Sequence, residues 1–301
     1  MAQRKEREEM RFSRVLRTGA VIAAASLVLA ACGGNGGEED AAEVKDVNPA
    51  DFAEGSTMRQ LAEAGTIRIG TKFDQPLFGL KAPAGDPVGF DVEIGKLIAG
   101  ELGIEEDGIE WVETVSANRE PFIENGQVDI VVATYTINDE RKRVVDFAGP
   151  YYIAGQSILV TEDNTEIKGP EDLAGKKVCT VEGSTPAQNM REKFPEAELE
   201  LTDAYSNCLQ PMRQGQVDAL TTDNVILSGF VDQNPGEFKL VGDLFTEEPY
   251  GIGLKKGDDE FRNFINDVLE ASYQDGRWQK AWEATAGKVL ELPEPPAVDR
   301  Y

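Results

Sequence analysis

The chain has 301 residues, 41% of them apolar, enough for one large or two medium domains. Lys and Arg total 30 against 55 Asp and Glu, a net charge of −25, and a chain this acidic lacks the basic face that nucleic-acid phosphates demand. There is no His, which removes His-dependent triads, imidazole metal ligands and imidazole acid–base chemistry, and the three Cys (Cys32, Cys179 and Cys208) are too scattered for a zinc site.

Residues 1–31 read as an export signal. Arg4, Lys5, Arg7, Arg11, Arg14 and Arg17 outnumber Glu6, Glu8 and Glu9, and an apolar run from Ala20 to Ala31 follows, broken only by Ser26. The run is too short to span a bilayer as a mature helix but suits a signal-peptide core. It ends in Leu29-Ala30-Ala31-Cys32, which resembles the bacterial lipoprotein box, in which the Cys is lipidated and becomes the new N-terminus. The protein is therefore expected on the outer face of the cytoplasmic membrane, held through Cys32; two or more acyl chains anchor stably where one is marginal. Residues 32–57 are Gly-rich and acidic with few large apolar side chains, so a flexible tether is expected there. Outside the cytoplasm Cys179 and Cys208 can oxidise. A bridge closing a loop of roughly 30 residues stabilises by about 3.5 kcal/mol in the chain-entropy model. The alternative is two buried free thiols.

From Met58 onward short β-rich runs alternate with helical patterns. Thr66–Thr71 alternates like a strand, and Phe90–Leu102 sets Ile94, Leu97, Ile98 and Leu102 on one helical face. Arg119–Asn125 reads as a helix stopped by Gly126, followed by a strand over Val128–Ala133. Lys177–Val181 is a strand, and Pro186–Phe194 a helix with Pro in its first turn. Ser206–Gln214 is a helix stopped by Gly215, ahead of a strand over Val217–Thr222, and Phe261, Phe264, Ile265, Val268 and Leu269 form an amphipathic stripe. This alternation points to α/β architecture with largely parallel sheets. Gly126-Gln127-Val128-Asp129 and Gly215-Gln216-Val217-Asp218 repeat each other in the same context, between a short helix and a strand, which suggests two similar lobes.

Several motifs in order carry a resemblance. Gly89-Phe90-Asp91-Val92-Glu93-Ile94, Gly126-Gln127-Val128-Asp129, Asn138-Asp139-Glu140-Arg141, Asp146-Phe147 and Tyr151-Tyr152 come first. Leu173-Ala174-Gly175-Lys176, Gly183-Ser184-Thr185, Thr222-Asp223 and Tyr250-Gly251-Ile252 follow. From about Met58 to Gly287 the chain resembles the polar amino-acid class of bacterial extracellular solute-binding proteins (family 3), and especially the glutamate-binding lipoproteins of ABC importers. The resemblance implies a two-lobed, hinge-closing fold of the periplasmic-binding-protein type II. Lobe one would take residues 58–151 and 251–290, and lobe two 155–247; beyond the resemblance, residues 291–301 are Pro-rich and read as a loosely held tail. Tyr151–Gly155 and Glu247–Gly251 would be the hinge, with Cys179 and Cys208 together in lobe two. It further implies a monomer that binds L-glutamate, or aspartate or glutamine, in the cleft without a cofactor or metal, and delivers it to a membrane permease with a separate ATPase. The chain itself has no G-x-x-x-x-G-K-[ST] phosphate loop. The same fold hosts dehydratase-type enzymes and sensory amino-acid receptors, so fold alone does not choose among them.

An amino-acid zwitterion needs both charges answered in a dry cleft. Arg141 is the candidate for the α-carboxylate, because its planar fork can take both oxygens and the resemblance gives it that role; the plain alternative is a solvated member of Arg141-Lys142-Arg143. Thr134 and Thr136, two apart near a strand end, would face the same way and add hydroxyl contacts. The resemblance makes Asp223 the partner of the ligand ammonium; bare sequence makes it a helix N-cap. Ser184 and Thr185, between a strand and a helix, would close over a carboxylate from lobe two, or form a plain turn. Lys72 faces the ligand side chain in the family, and a cation there suits a carboxylate over an amide. Arg119 is a second cation for the anionic ligand. For these two the plain readings are an exposed loop Lys and a surface Arg. Tyr250 and Phe73 would pack on ligand methylenes or belong to the core.

Overall fold

The computed structural model describes residues 44–301. The expected export signal, Cys32 and the first part of the expected tether lie outside the described residues.

The first α-helix of the described residues is α1 (Thr57–Ala64), whose N-cap Ser56 accepts from the Arg59 N–H at 3.2 Å. Next come β1 (Ile67–Thr71) and a small hairpin of β2 (Asp74–Gln75) and β3 (Gly79–Leu80). α2 (Phe90–Glu101), β4 (Ile109–Glu113), α3 (Arg119–Glu124), β5 (Ile130–Val131) and β6 (Val145–Ala154) complete this pass. One residue later the chain enters a second unit through β7 (Gln156–Thr161). That unit contains β8 (Lys177–Val181), α4 (Thr185–Lys193), β9 (Glu198–Thr202), α5 (Leu209–Arg213), β10 (Ala219–Asp223), α6 (Asn224–Gln233) and β11 (Phe238–Val241). The chain then returns along β12 (Glu248–Lys255) and finishes with α7 (Asp259–Asp275) and α8 (Arg277–Ala284).

Two five-stranded sheets result, ordered β4-β1-β5-β12-β6 and β11-β7-β10-β8-β9. β1 runs parallel to β4 and β5, and β8 parallel to β9 and β10. β12 is antiparallel to both its neighbours, and so is β7. The expectation of largely parallel sheets is met in only half of the pairings: β7 and β12, which lie next to or make the crossings between lobes, are each antiparallel to both neighbours. The crossing strands are themselves a ladder, with Glu248 opposite Ala154 and Lys255 opposite Val145. This is the two-lobed type II architecture.

The repeated tetrapeptide has a structural use. Gly126 and Gly215 both take φ +64 just past α3 and α5, a left-handed turn that glycine enters without steric cost. Behind them Asp129 donates its N–H to Arg68 O and accepts from Arg68 N–H at 2.8 Å through Oδ2. Asp218 makes the same reciprocal pair with Lys177, also at 2.8 Å. Each Asp locks the start of a parallel strand pair.

Four local expectations need correction. The strand expected over Val128–Ala133 is only Ile130–Val131, because Thr134 turns into a positive φ of 43° and the Ala133 and Thr134 carbonyls accept from Arg119. The helix expected over Ser206–Gln214 divides into a 3-10 turn, Tyr205–Cys208, and α5, since Pro211 is tolerated only in a first turn. The tether is not free over residues 44–56. Pro49–Asp51 forms a 3-10 turn, the Lys45 N–H donates to Gly100 O at 3.0 Å, and Phe52 meets the Phe264 ring edge-on at 5.8 Å. The tail is docked rather than loose. Leu290 and Val298 pack on the core, Phe147 N–H donates to the Tyr301 hydroxyl at 2.9 Å, and Arg300 pairs with Asp267 and Glu270. In both segments a few apolar anchors suffice, where composition alone suggested none.

Cys179 on β8 and Cys208 before α5 are joined in a disulfide within the second lobe. At the base of the first lobe, Trp278 and Trp282, one helical turn apart on α8, close an aromatic cluster with Phe90, Tyr151 and Tyr152. This cluster fixes the crossing strands from below.

Candidate functional site

The crevice lies beyond the C-terminal ends of β1, β5, β8 and β10, where open α/β sheets leave backbone groups free to meet a ligand. Lys72 follows β1 directly and is only 3% exposed, not the exposed loop Lys of the plain reading. Its ammonium donates to Ser116 Oγ at 2.8 Å, and among the described residues no carboxylate lies within ion-pair distance. Burial, followed by the nearby Arg119, pulls its pKa down to about 7.

Arg119, at the start of α3, is buried with its guanidinium 4.3 Å from the centre of the Tyr135 ring. It is not a surface Arg. It donates to Ser116, Ala133 and Thr134 carbonyls of its own lobe, and across the crevice to Gly183 O at 3.4 Å. Arg141 opens a 3-10 turn, Arg141–Arg143, and is also buried, whereas Lys142 and Arg143 are more open. It donates to Thr136 O at 2.7 Å, to Thr185 Oγ1 at 3.0 Å and to Gly183 O at 3.1 Å, and pairs with Glu120 at 3.1 Å. Burial pulls its pKa down to about 10. Two guanidinium groups of lobe one therefore converge on one carbonyl oxygen of lobe two.

Thr134 and Thr136 both line a small pocket between the lobes, but not as neighbours on one strand face, since β5 has already ended. Thr134 is held by its N–H donating to Asp91 Oδ2 at 2.8 Å and its hydroxyl donating to Gln75 Oε1 at 2.9 Å. Thr136 bridges to Tyr250 through the backbone. Ser184 caps α4: its hydroxyl donates to Val181 O and accepts from Ala187 N–H, so its side chain is committed locally. Thr185 offers its hydroxyl to Arg141 instead.

Asp223 ends β10 and occupies the N-cap position of α6, yet its side chain makes no capping bond. Oδ2 accepts from the Tyr250 hydroxyl at 2.5 Å, while Oδ1, buried, has no hydrogen-bond partner among the described residues. Burial, and then the nearby Glu248, push its pKa up to about 8. Tyr250 is fully buried among Phe78, Tyr151 and Tyr152 and is a core residue. Phe73 lies half-buried under the Lys81 ammonium.

Arg119, Thr134, Thr136, Ser184, Thr185 and Asp223 line this small pocket together with Ser116. Lys72 stands behind Ser116, and Arg141 borders the wider mouth outside.

Three buried groups beside the site are not among the residues the sequence assigns to it. Asp91 accepts from Thr134 N–H and from the Tyr151 hydroxyl at 2.6 Å, and burial raises its pKa to about 7. Its place in Gly89-Phe90-Asp91 was the available signal. Gln75 keeps its Nε2 without a partner among the described residues, and so does one oxygen of Glu248, whose other oxygen accepts from Thr246 and Asn189. Nothing in the local sequence marked either one. Among the described residues there is no acidic or Cys cluster fit for a metal ion, and no helix is long and apolar enough to cross a membrane.

Comparison with known proteins agrees with this architecture. Residues 67–285 match the model of the bacterial extracellular solute-binding proteins, family 3. The glutamate-binding protein GluB of Corynebacterium glutamicum is 40% identical over 285 residues, covering 90% of this chain and 91% of the relative. The ABC transporter glutamine-binding protein GlnH of Bacillus subtilis is 41% identical over 263 residues, covering 86% of this chain and 92% of the relative. Among solved structures, an ancestral arginine-binding protein bound to glutamine superposes with a TM-score of 0.69 at 40% identity, covering 73% of this chain and 97% of its own. With the family match and these identities, the chain belongs to the bacterial extracellular solute-binding proteins of family 3.

Proposed function

We propose that this protein is the substrate-binding lipoprotein of an ABC importer for acidic amino acids, with L-glutamate as its preferred ligand. The observation that carries the reading is the polarity of the crevice. Arg119 and Arg141 converge from one lobe on the Gly183 carbonyl, and Asp223, whose buried Oδ1 has no partner among the described residues, lines the pocket that Arg119 also lines. A carboxylate oxygen taking the place of that carbonyl gains a full charge opposite two guanidinium groups. An ammonium beside Asp223 supplies the partner its buried oxygen lacks.

In this reading Arg141 takes the α-carboxylate, with Thr136 and Thr185 at its flank. Asp223 takes the ammonium, oriented by the Tyr250 hydroxyl on its other oxygen. Lys72 and Arg119 take the side-chain carboxylate, Thr134 and the first turn of α4 behind Ser184 closing the remaining sides. The names of the relatives span glutamate and glutamine. Lys72 favours the acid, because a buried ammonium whose hydrogen-bond partner is a hydroxyl, with Asp74 and Asp91 acting only from beyond ion-pair distance, gains from a charged partner and little from an amide. Both halves of the site meet only when the lobes are shut, so ligand stabilises the shut state. Anchorage at Cys32, a permease and a separate ATPase complete the proposed importer.

The test is calorimetric titration of the protein, freed of carried-over ligand by unfolding and refolding, with glutamate, aspartate, glutamine and arginine. Tight one-to-one glutamate binding is expected, and Lys72→Met should weaken glutamate by about 10–100-fold while changing glutamine by less than about threefold, the scale of one charged hydrogen bond. Glutamine preference in the wild type, or an equal loss for both ligands in the variant, would defeat the glutamate assignment.

A further inference from the structure

Two glycines of the second lobe stand where its backbone meets the first. A Cβ on Gly183 would fall 2.7 Å from the Cα of Ala117, and one on Gly229 would fall 2.7 Å from the carbonyl oxygen of Pro76. Gly183 has φ +75, so the turn itself demands glycine. Gly229 is a different case. It lies inside α6 with no left-handed φ, where glycine is the poorest helix former after proline. Its own lobe does not account for it, since the three atoms nearest a methyl there all belong to Pro76.

Pro76 sits in the β2–β3 turn, which is anchored to the first lobe. Phe90 N–H donates to Leu77 O at 2.8 Å, Asp91 N–H donates to Phe78 O at 3.0 Å, and the Phe78 ring meets Phe90 edge-on at 5.9 Å. The same turn reaches the second lobe a second time, where Asp74 Oδ2 accepts from Ser206 N–H at 3.3 Å. The hairpin is thus a rigid finger of lobe one pressed on lobe two, and Gly229 is the point where helix backbone meets finger backbone without a side chain between.

We propose that Gly229 is a positioning residue for ligand capture: its missing side chain lets α6 seat against the Pro76 carbonyl when the lobes shut, so it sets affinity without touching the ligand. The inference rests on capture by lobe closure as proposed above. A methyl at this point acts as a wedge, since backbone atoms on the finger cannot rotate out of its way as a side chain could. It holds apart the two halves of the site, Arg141 and Asp223 included. The separated lobes do not feel it, and there alanine is simply the better helix residue.

The experiment is Gly229→Ala, with Ser228→Ala as the neighbouring control, since the Ser228 hydroxyl only donates back to Asn224 O within the helix. Calorimetry uses whichever amino acid the wild type binds. Gly229→Ala should weaken that ligand about tenfold or more, equivalent to roughly 1.4 kcal/mol. The empty variant should melt at or above the wild-type temperature, and Ser228→Ala should bind like wild type. Small-angle X-ray scattering at saturating ligand should show the wild type contracting and Gly229→Ala contracting less. Unchanged affinity overturns the proposal. So does a lower melting temperature of the empty variant, because the contact would then belong to the resting fold. Failure of the wild type to bind any α-amino acid defeats the proposed function, and this inference with it.

Discussion

The two lobes share a base and differ at the rim. At the base, Asp129 and Asp218 make the same reciprocal pair with the strand beside them, each behind a glycine at φ +64. At the rim, lobe one presents Lys72, Arg119 and Arg141, while lobe two presents Asp223, a helix start and the Gly183 carbonyl. The frame is duplicated and the charge is divided. A zwitterion is the kind of solute that such a division suits, because neither lobe alone answers both of its poles.

The sharpest way to break this comparison is Arg141→Ala. Loss of the fork should reduce glutamate affinity by more than about 100-fold, the range for truncating one partner of a buried charge pair, and leave the melting of the empty protein close to wild type. Retained binding would remove the polar division as the basis of capture. Next in size is Asp223→Asn on the opposite rim, expected to cost roughly 10–100-fold in affinity. This variant also carries a pH signature. Burial, and then the nearby Glu248, hold the folded-state pKa of Asp223 well above the ordinary carboxylate range, so its protonated form favours folding, fully below that range and progressively less as pH rises through the raised value. Across that window the melting temperature of the empty wild type should fall more steeply than that of Asp223→Asn; parallel curves would show that the carboxyl titrates normally.

The base offers the smallest effect and the cleanest symmetry. Asp129→Ala and Asp218→Ala should each destabilise by about 0.5–1.5 kcal/mol, the net worth of one strand-end hydrogen bond, open to water at Asp218 and partly covered at Asp129, with ligand affinity of the folded fraction unchanged. Chemical denaturation with bound and free protein checks this. A large difference between the two variants would mean that the repeat is only a likeness of sequence. Arg68, which also pairs with Asp129 through its side chain, places any modest excess on lobe one.

What the sequence made legible were features carried by neighbouring residues. Lys177–Val181 needed only its own β-branched run, and the twin tetrapeptides stood out because both halves of the pattern are local. Features that depend on distant partners were hidden. The turn at Thr134 is held by Asp91, 43 positions earlier, so a strand was expected to run on where the backbone instead bends. Gln75 is oriented by the same Thr134, 59 positions away. The cations show the same limit. Their presence was plain, and so was their suitability for a carboxylate, but burial depended on Tyr135, Ser116 and the second lobe, none of which signals depth. The tail misled by its composition, since Tyr301 and Arg300 do at single points what a periodic stripe would have announced.

The crossing strands β6 and β12 are paired with each other along most of their length, not merely adjacent. A ladder of that kind bends and twists readily but strongly resists one rail sliding past the other, since sliding breaks every rung at once. The joint between the lobes is accordingly a leaf spring and not a ball and socket. Its travel reduces to nearly a single coordinate, and a molecule with one coordinate can be read with one ruler: a pair of dyes, one on the outer face of α4 and one on the turn after Asn138, would register each capture event as a single step in distance.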